Sequence, residues 1–143
     1  MRARIWGCRG SLATPGRETL RYGGNTSCVQ IELNDGSCVI LDAGTGIRGL
    51  GLELVADHSP IPPIHICLTH LHLDHIEGLG FFAPIWQQGA EVHVWGPPSA
   101  TRTLEERIAR YLSAPLFPVE LVEIPARLVF HDAPTDTWEI GGA

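Results

Sequence analysis

Between Thr69 and His75 the chain reads Thr-His-Leu-His-Leu-Asp-His, which places three imidazoles and a carboxylate within six positions. An even spread of the seven histidines over 143 residues would put only ~0.3 in a window of that width. Ordinary packing has no reason to assemble so many nitrogen and oxygen donors, and the cluster has the outline of a metal site. In an extended segment positions i and i+2 share a side, so His70 and His72 can present both rings to one ion. Asp74 and His75 fall where the chain turns toward a helix, and that change of direction lets them face a second ion across the same pocket. With no thiolate beside them, these donors suit two divalent ions, zinc first, with manganese and iron as the alternatives by ligand type. Asp74 followed by Glu77 also has the form of a helix N-cap, a role that does not exclude the other.

The elements that must hold these donors follow from periodicity. Ile64 to Leu68 is an apolar run that predicts a buried strand ahead of the histidines, and a helical pattern begins near Asp74, with Ile76, Leu79 and Phe81 or Phe82 on one side until Pro84 bends or stops it. The donors therefore sit at a strand-to-helix turn, where open α/β sheets keep their chemistry. Upstream, Arg2 to Gly7 predicts a first strand, and Cys28–Leu33 and Ser37–Leu41 predict a hairpin about Asn34-Asp35-Gly36. The second arm ends at Asp42-Ala43-Gly44-Thr45-Gly46, after which Ile47, Leu50 and Leu54 recur at helical spacing to about His58. Downstream, Glu91 to Trp95 is a strand, and Thr103 with Glu106 forms a capping-box signature before a helix carrying Leu104, Ile108, Tyr111 and Leu112. A short strand about Val119 to Val122, another at Leu128 to Phe130 and a last one at Trp138 to Ile140 complete the pattern.

Composition bounds the partners. The chain is long enough for one domain with a real core, and no apolar run is long enough to span a bilayer. Residues 1–30 carry five arginines against one glutamate, a local +4 in a chain whose total is −6, so the remainder is −10. That acidic body argues against broad, salt-driven binding to long nucleic acid, while the basic N-terminal part can meet a single phosphate. There is no lysine, so every side-chain cation other than histidine is a guanidinium. Cys8, Cys28, Cys38 and Cys67 show no C-x-x-C spacing and read as reduced thiols, which with the absence of a secretory leader pattern predicts a cytoplasmic protein without a membrane anchor.

The series His70-x-His72-x-Asp74-His75 after an apolar strand resembles the signature of the metallo-β-lactamase fold superfamily of metal-dependent hydrolases. The order of hairpin, strand-Asp-Gly-helix and strand-histidine cluster-helix is similar too. The resemblance implies the N-terminal half of an αββα sandwich, here a mixed sheet with helices on one face. It makes His70, His72, Asp74 and His75 metal ligands, gives Asp74 a part in proton transfer at the nucleophile, and assigns Asp42 the orientation of a ligand histidine from behind. Gly7-Cys8-Arg9-Gly10-Ser11 and the segment from Arg21 to Cys28 look more like the phosphodiesterase and ribonuclease Z-like branch than like β-lactamases. In that branch Arg21, Asn25, Thr26 and Ser27 would offer donors to a phosphodiester oxygen, so the substrate expected is a small phosphodiester or a short nucleic-acid end.

The family's second half supplies a further histidine, a bridging aspartate and a last histidine, and His131 does not match the expected position of any of them. Residues 1–143 thus read as one hydrolase domain cut short at its C-terminal end, its apolar sheet face left for a completing polypeptide or a second copy. Two other functions fit the same residues. One is a non-catalytic metal-binding module, and the other is an acyl hydrolase acting on a thioester or lactone.

Overall fold

A computed structural model describes residues 1–56, 60–133 and 139–140. Its centre is a six-stranded mixed sheet with strands in sequence order: β1 (Arg2–Gly7), β2 (Cys28–Glu32), β3 (Cys38–Leu41), β4 (Ile64–Cys67), β5 (Glu91–Gly96) and β6 (Arg127–Asp132). The first three strands pair antiparallel and the last four parallel. The β2–β3 hairpin turns on Gly36, whose φ of 89° lies in the region an L side chain resists, while the Asp35 carboxylate accepts the Ser37 amide. The parallel strands are joined by α1 (Ile47–Ala56), by a segment containing α2 (Leu73–Ile76), and by α3 (Leu104–Tyr111). Strand order advances steadily from β3 to β6, so right-handed crossovers deliver all three connections to one face.

Register shows which side chains that face collects. Cys38, Ile64, Val92 and Leu128 lie in one row, and Ile40, Ile66, Val94 and Phe130 in the next. Against them pack Ile47 and Leu50 of α1, Leu79, Phe82 and Ile85 of the following turns, and Leu104 and Ile108 of α3, nearly all fully buried. This is the fold class expected: a mixed sheet with helices on one side.

The other face carries Val39, His65, His93 and Val129 in one row and Leu41, Cys67, Trp95 and His131 in the next. Ile5 on the same side is 69% exposed. Across β4, β5 and β6 the imidazoles of His65 and His93 stack at 4.8 Å, those of His93 and His131 at 5.1 Å, and Trp95 lies on His131 at 4.0 Å. The His93 Nδ1 and His131 Nε2 atoms are 2.9 Å apart, and the Trp95 indole N–H donates to His65 Nδ1.

Several expected elements take a different form. The helix after the histidines is one turn, α2, followed by 3-10 turns at Leu79–Phe81 and Ala83–Trp86, because Pro84 and Gly80 do not sustain an α-helix. The strand expected at Val119 to Val122 is a 3-10 turn, Leu121–Glu123, in which Glu120 and Glu123 form a reciprocal cap that a strand could not accommodate. Of the last expected strand, Trp138 lies outside the described residues, and Glu139 and Ile140 belong to no strand; His58 also lies outside them. The Thr103–Glu106 capping box is present, each side chain accepting the other's backbone N–H.

Two outcomes follow. Thr103→Ala removes one of these bonds and lowers stability by about 1 kcal/mol, read from the urea unfolding midpoint. Burial, and then the neighbouring imidazoles, hold His65 and His131 below the ordinary histidine pKa. A depressed pKa means the unfolded chain takes the proton first, so stability from this stack is complete above about pH 6.5 and is lost as pH falls below it. Urea titrations between pH 7.5 and 5 test this, and His131→Phe, which keeps a ring against Trp95 without the ionisation, flattens the dependence.

Candidate metal centre

The site lies at the carboxyl ends of β3 and β4, where the sheet releases both chains into loops. Asp42 follows β3 directly and takes φ 62°, a left-handed conformation that aspartate tolerates better than most residues. Its amide still extends the sheet by bonding to the Cys67 carbonyl, 3.0 Å away, while its side chain turns inward and is nearly buried. There Oδ1 accepts both the backbone N–H and the hydroxyl of Thr69, each at 2.9 Å. Oδ2 accepts the Ser27 hydroxyl at 3.1 Å and stands 2.8 Å from Nδ1 of His75.

This network assigns protons. A carboxylate only accepts, so His75 carries its hydrogen on Nδ1 and keeps the lone pair on Nε2. The one hydroxyl proton of Thr69 goes to Asp42, so the 3.1 Å contact between Thr69 Oγ1 and His70 Nδ1 is donated by the imidazole. His70 therefore also keeps its lone pair on Nε2. The His70 ring centroid is 4.0 Å from that of His75 and 4.5 Å from that of His72, the latter pair meeting edge to face. Oδ2 of Asp74 is 3.4 Å from Nε2 of His75 and accepts the backbone N–H of Ser11 at 2.7 Å. The Ser11 amide hydrogen bond, above all, holds the Asp74 carboxyl below its usual range.

The local reasons differ from those expected of the sequence. Strand β4 stops at Cys67, so His70 and His72 stand in the loop beyond it and the two-residue strand alternation does not place them. Nor is Asp74 an N-cap. His72 occupies that position with no side-chain cap bond, and Asp74 falls in the first helical turn, where it faces the N-terminal loop. The turn is fixed instead by backbone bonds to the segment after β3: Ala43 N–H to the His75 carbonyl and Gly78 N–H to the Ala43 carbonyl. Gly44 allows this approach, since a Cβ there would lie 2.4 Å from both the Asp74 carbonyl oxygen and the Thr26 hydroxyl.

The four candidate substrate residues part company, Ser27 giving its hydroxyl to Asp42. Arg21 is exposed and lies 4.9 Å above the Tyr22 ring, and Asn25 is exposed with its side-chain carbonyl accepting the Thr45 hydroxyl. Thr26 is fully buried, its hydroxyl donating to Glu77 and accepting from the Thr45 amide, so it braces the loop and offers nothing to a ligand. Thr69 and Ser11 were not legible as site residues, because one acts through a hydroxyl on a distant carboxylate and the other through its main chain.

The donors fit a divalent ion in kind: the imidazoles of His70 and His75 with Nε2 left free by their hydrogen bonds, one of them backed by a carboxylate, beside a second carboxylate. Among the described residues, however, no three histidine, cysteine, aspartate or glutamate side chains form a group that could hold an ion.

Residues 21–143 match the metallo-beta-lactamase superfamily. The chain belongs to this family. Proteins named ribonuclease Z are similar to it: that of Deinococcus radiodurans is 36% identical over 75 residues, covering 51% of this chain and 22% of the relative. That of Pyrococcus abyssi is 28% identical over 111 residues, covering 74% and 36%. The metallo-beta-lactamase fold protein YhfI from Bacillus subtilis superposes on 97% of the chain with a TM-score of 0.60 at 16% identity, and the chain covers 48% of that structure. The chain thus spans about a third or less of these two ribonucleases and about half of YhfI.

Within this family member, removing the Asp42 acceptor strands several polar groups at once. Asp42→Ala costs about 3 kcal/mol in urea unfolding. Asp42→Asn tolerates the same φ and keeps most of that stability, but its amide N–H forces His75 to carry the proton on Nε2. Nitrogen-15 chemical shifts of the His75 ring read the exchange.

Proposed function

We propose that this chain is part of a metal-dependent hydrolase that cleaves a phosphodiester, with a short nucleic-acid end as its substrate. The observation that carries the reading is the Asp42 to His75 Nδ1 contact, which leaves Nε2 facing Asp74 beside the His70 and His72 rings. The substrate class draws on the ribonuclease Z relatives. His70 and His72 would hold one divalent ion and Asp74 with His75 a second, zinc being the first choice and manganese or iron the alternatives. Such ions supply Lewis acidity that acidifies a water molecule and offsets charge on a phosphoryl oxygen. Asp74 accepts the hydrogen bond, and then the proton, of the attacking water, while Asp42 holds the His75 ring in place. Arg21, exposed on the loop, is suited to a phosphate oxygen of the substrate.

The remaining ligands would come from polypeptide beyond these 143 residues, on the same chain or on a partner, which accords with the fraction of each relative that the chain spans. Four free thiols, two of them fully buried or nearly so, favour a reducing, cytoplasmic setting. Among the described residues no helix is long and apolar enough to cross a membrane.

That the chain spans only a part of its relatives' length favours one second reading, a metal-binding module without turnover. Metal content after dialysis, together with hydrolysis of bis(p-nitrophenyl) phosphate by the full-length protein, separates the two. Two ions per chain with turnover supports the enzyme, and stoichiometric metal without turnover supports the module. In the enzyme, His72→Ala and Asp74→Ala each lower kcat/KM by at least about a hundredfold. Undiminished hydrolysis by either variant overturns the ligand assignment.

A further inference from the structure

The loop from Cys8 to Asn25 runs back over the site and is braced at both ends. Cys8 and Arg9 amides bond to the Asn25 carbonyl at 3.1 and 2.9 Å, Thr14 N–H bonds to the Gly24 carbonyl at 2.8 Å, and Arg9 bridges Thr26. At its tip the Leu12 amide bonds to the Gly10 carbonyl at 2.8 Å, and Ser11 takes φ 64°. A serine in the left-handed region gives up free energy that a glycine would not, and an exposed loop does not by itself require that conformation. What the turn accomplishes is to aim the Ser11 N–H at Asp74 Oδ2, 63 residues away. Asp74 is open to this control because its carboxylate is not spent on capping α2, where His72 stands at the cap position.

We infer that Ser11 is a positioning residue: its main-chain amide fixes the Asp74 carboxylate, and so sets the affinity and geometry with which Asp74 and His75 bind a divalent cation. The inference rests on the ligand roles proposed above for those two residues. Hydrogen bonds from behind a ligand commonly govern metal affinity tenfold to a hundredfold. Among the described residues the Ser11 hydroxyl has no hydrogen-bond partner, so the N–H and not the side chain carries the role.

The test replaces only that N–H. In the full-length protein, the α-hydroxy analogue of serine, incorporated at position 11 by nonsense suppression, converts the amide to an ester. Binding of Co²⁺ is followed by chelator competition and by the visible spectrum of the bound ion. The ester weakens Co²⁺ binding about 10- to 100-fold and alters the spectrum, whereas Ser11→Gly, which keeps the N–H and suits the positive φ, binds within about threefold of the parent. An ester with parental affinity and spectrum overturns the inference. Asp74→Ala distinguishes the levels: if it loses Co²⁺ affinity while the ester does not, only the Ser11 role fails, and if it binds as the parent does, the ligand assignment fails and this inference with it. Should the ester not fold, the Ser11 amide proton in the unmodified protein decides, since it must shift on Zn²⁺ titration together with the His75 ring. An unresponsive amide overturns the inference.

Discussion

Asp42 gathers three stretches of chain that have no other reason to meet so closely. Its carboxylate takes the Ser27 hydroxyl from just before β2, the amide and hydroxyl of Thr69 after β4, and the His75 imidazole from α2. A carboxylate this deeply buried is tolerated only if its oxygens are met by donors, and every donor it finds belongs to a segment that shapes the site. The left-handed turn at Asp42 is what directs the side chain inward while the backbone continues the parallel ladder one residue further. Stability and site geometry are therefore not separable here, since the group that satisfies the loops is also the one that selects the His75 tautomer.

The sheet decides where such an interaction can occur. Crossovers that all return on one face leave β3 and β4 side by side and parallel, so their carboxyl ends open together. The same topology concentrates the aliphatic core between sheet and helices and consigns His65, His93, His131 and Trp95 to the opposite face. A stack of imidazoles is an unusual lining for a sheet, and it makes that face sensitive to protonation in a way that the aliphatic face is not.

The period-two and capping signals were legible in the sequence because they are local. The first strand, the Asp35-Gly36 hairpin and the Thr103–Glu106 box each depend on neighbours a few residues apart, and they stand where the pattern puts them. The donor cluster was legible for another reason, its density of histidine. What could not be read was how those donors are held. Strand alternation was the wrong rule for His70 and His72, since β4 ends three residues earlier, and the apparent cap at Asp74 is displaced by a contact with Ser11 that no spacing announces. Thr26 has the chemistry of a ligand-binding residue and is instead consumed by Thr45 and Glu77, which only the packing of the N-terminal loop reveals.

The electrostatics of the site follow from these contacts. Asp42 and Asp74 converge on His75, yet among the described residues neither carboxylate forms an ion pair with an arginine, and the chain has no lysine to serve instead. Their charge is met by hydroxyls, by the Ser11 and Thr69 amides and by imidazoles whose free nitrogens are themselves electron donors. An arrangement that accumulates negative charge and lone pairs without a side-chain cation favours a cation from solution over an anionic group. The exposed Arg21 lies on the loop that Ser11 anchors to Asp74, at a distance from both carboxylates that leaves it stacked on Tyr22 rather than paired with either.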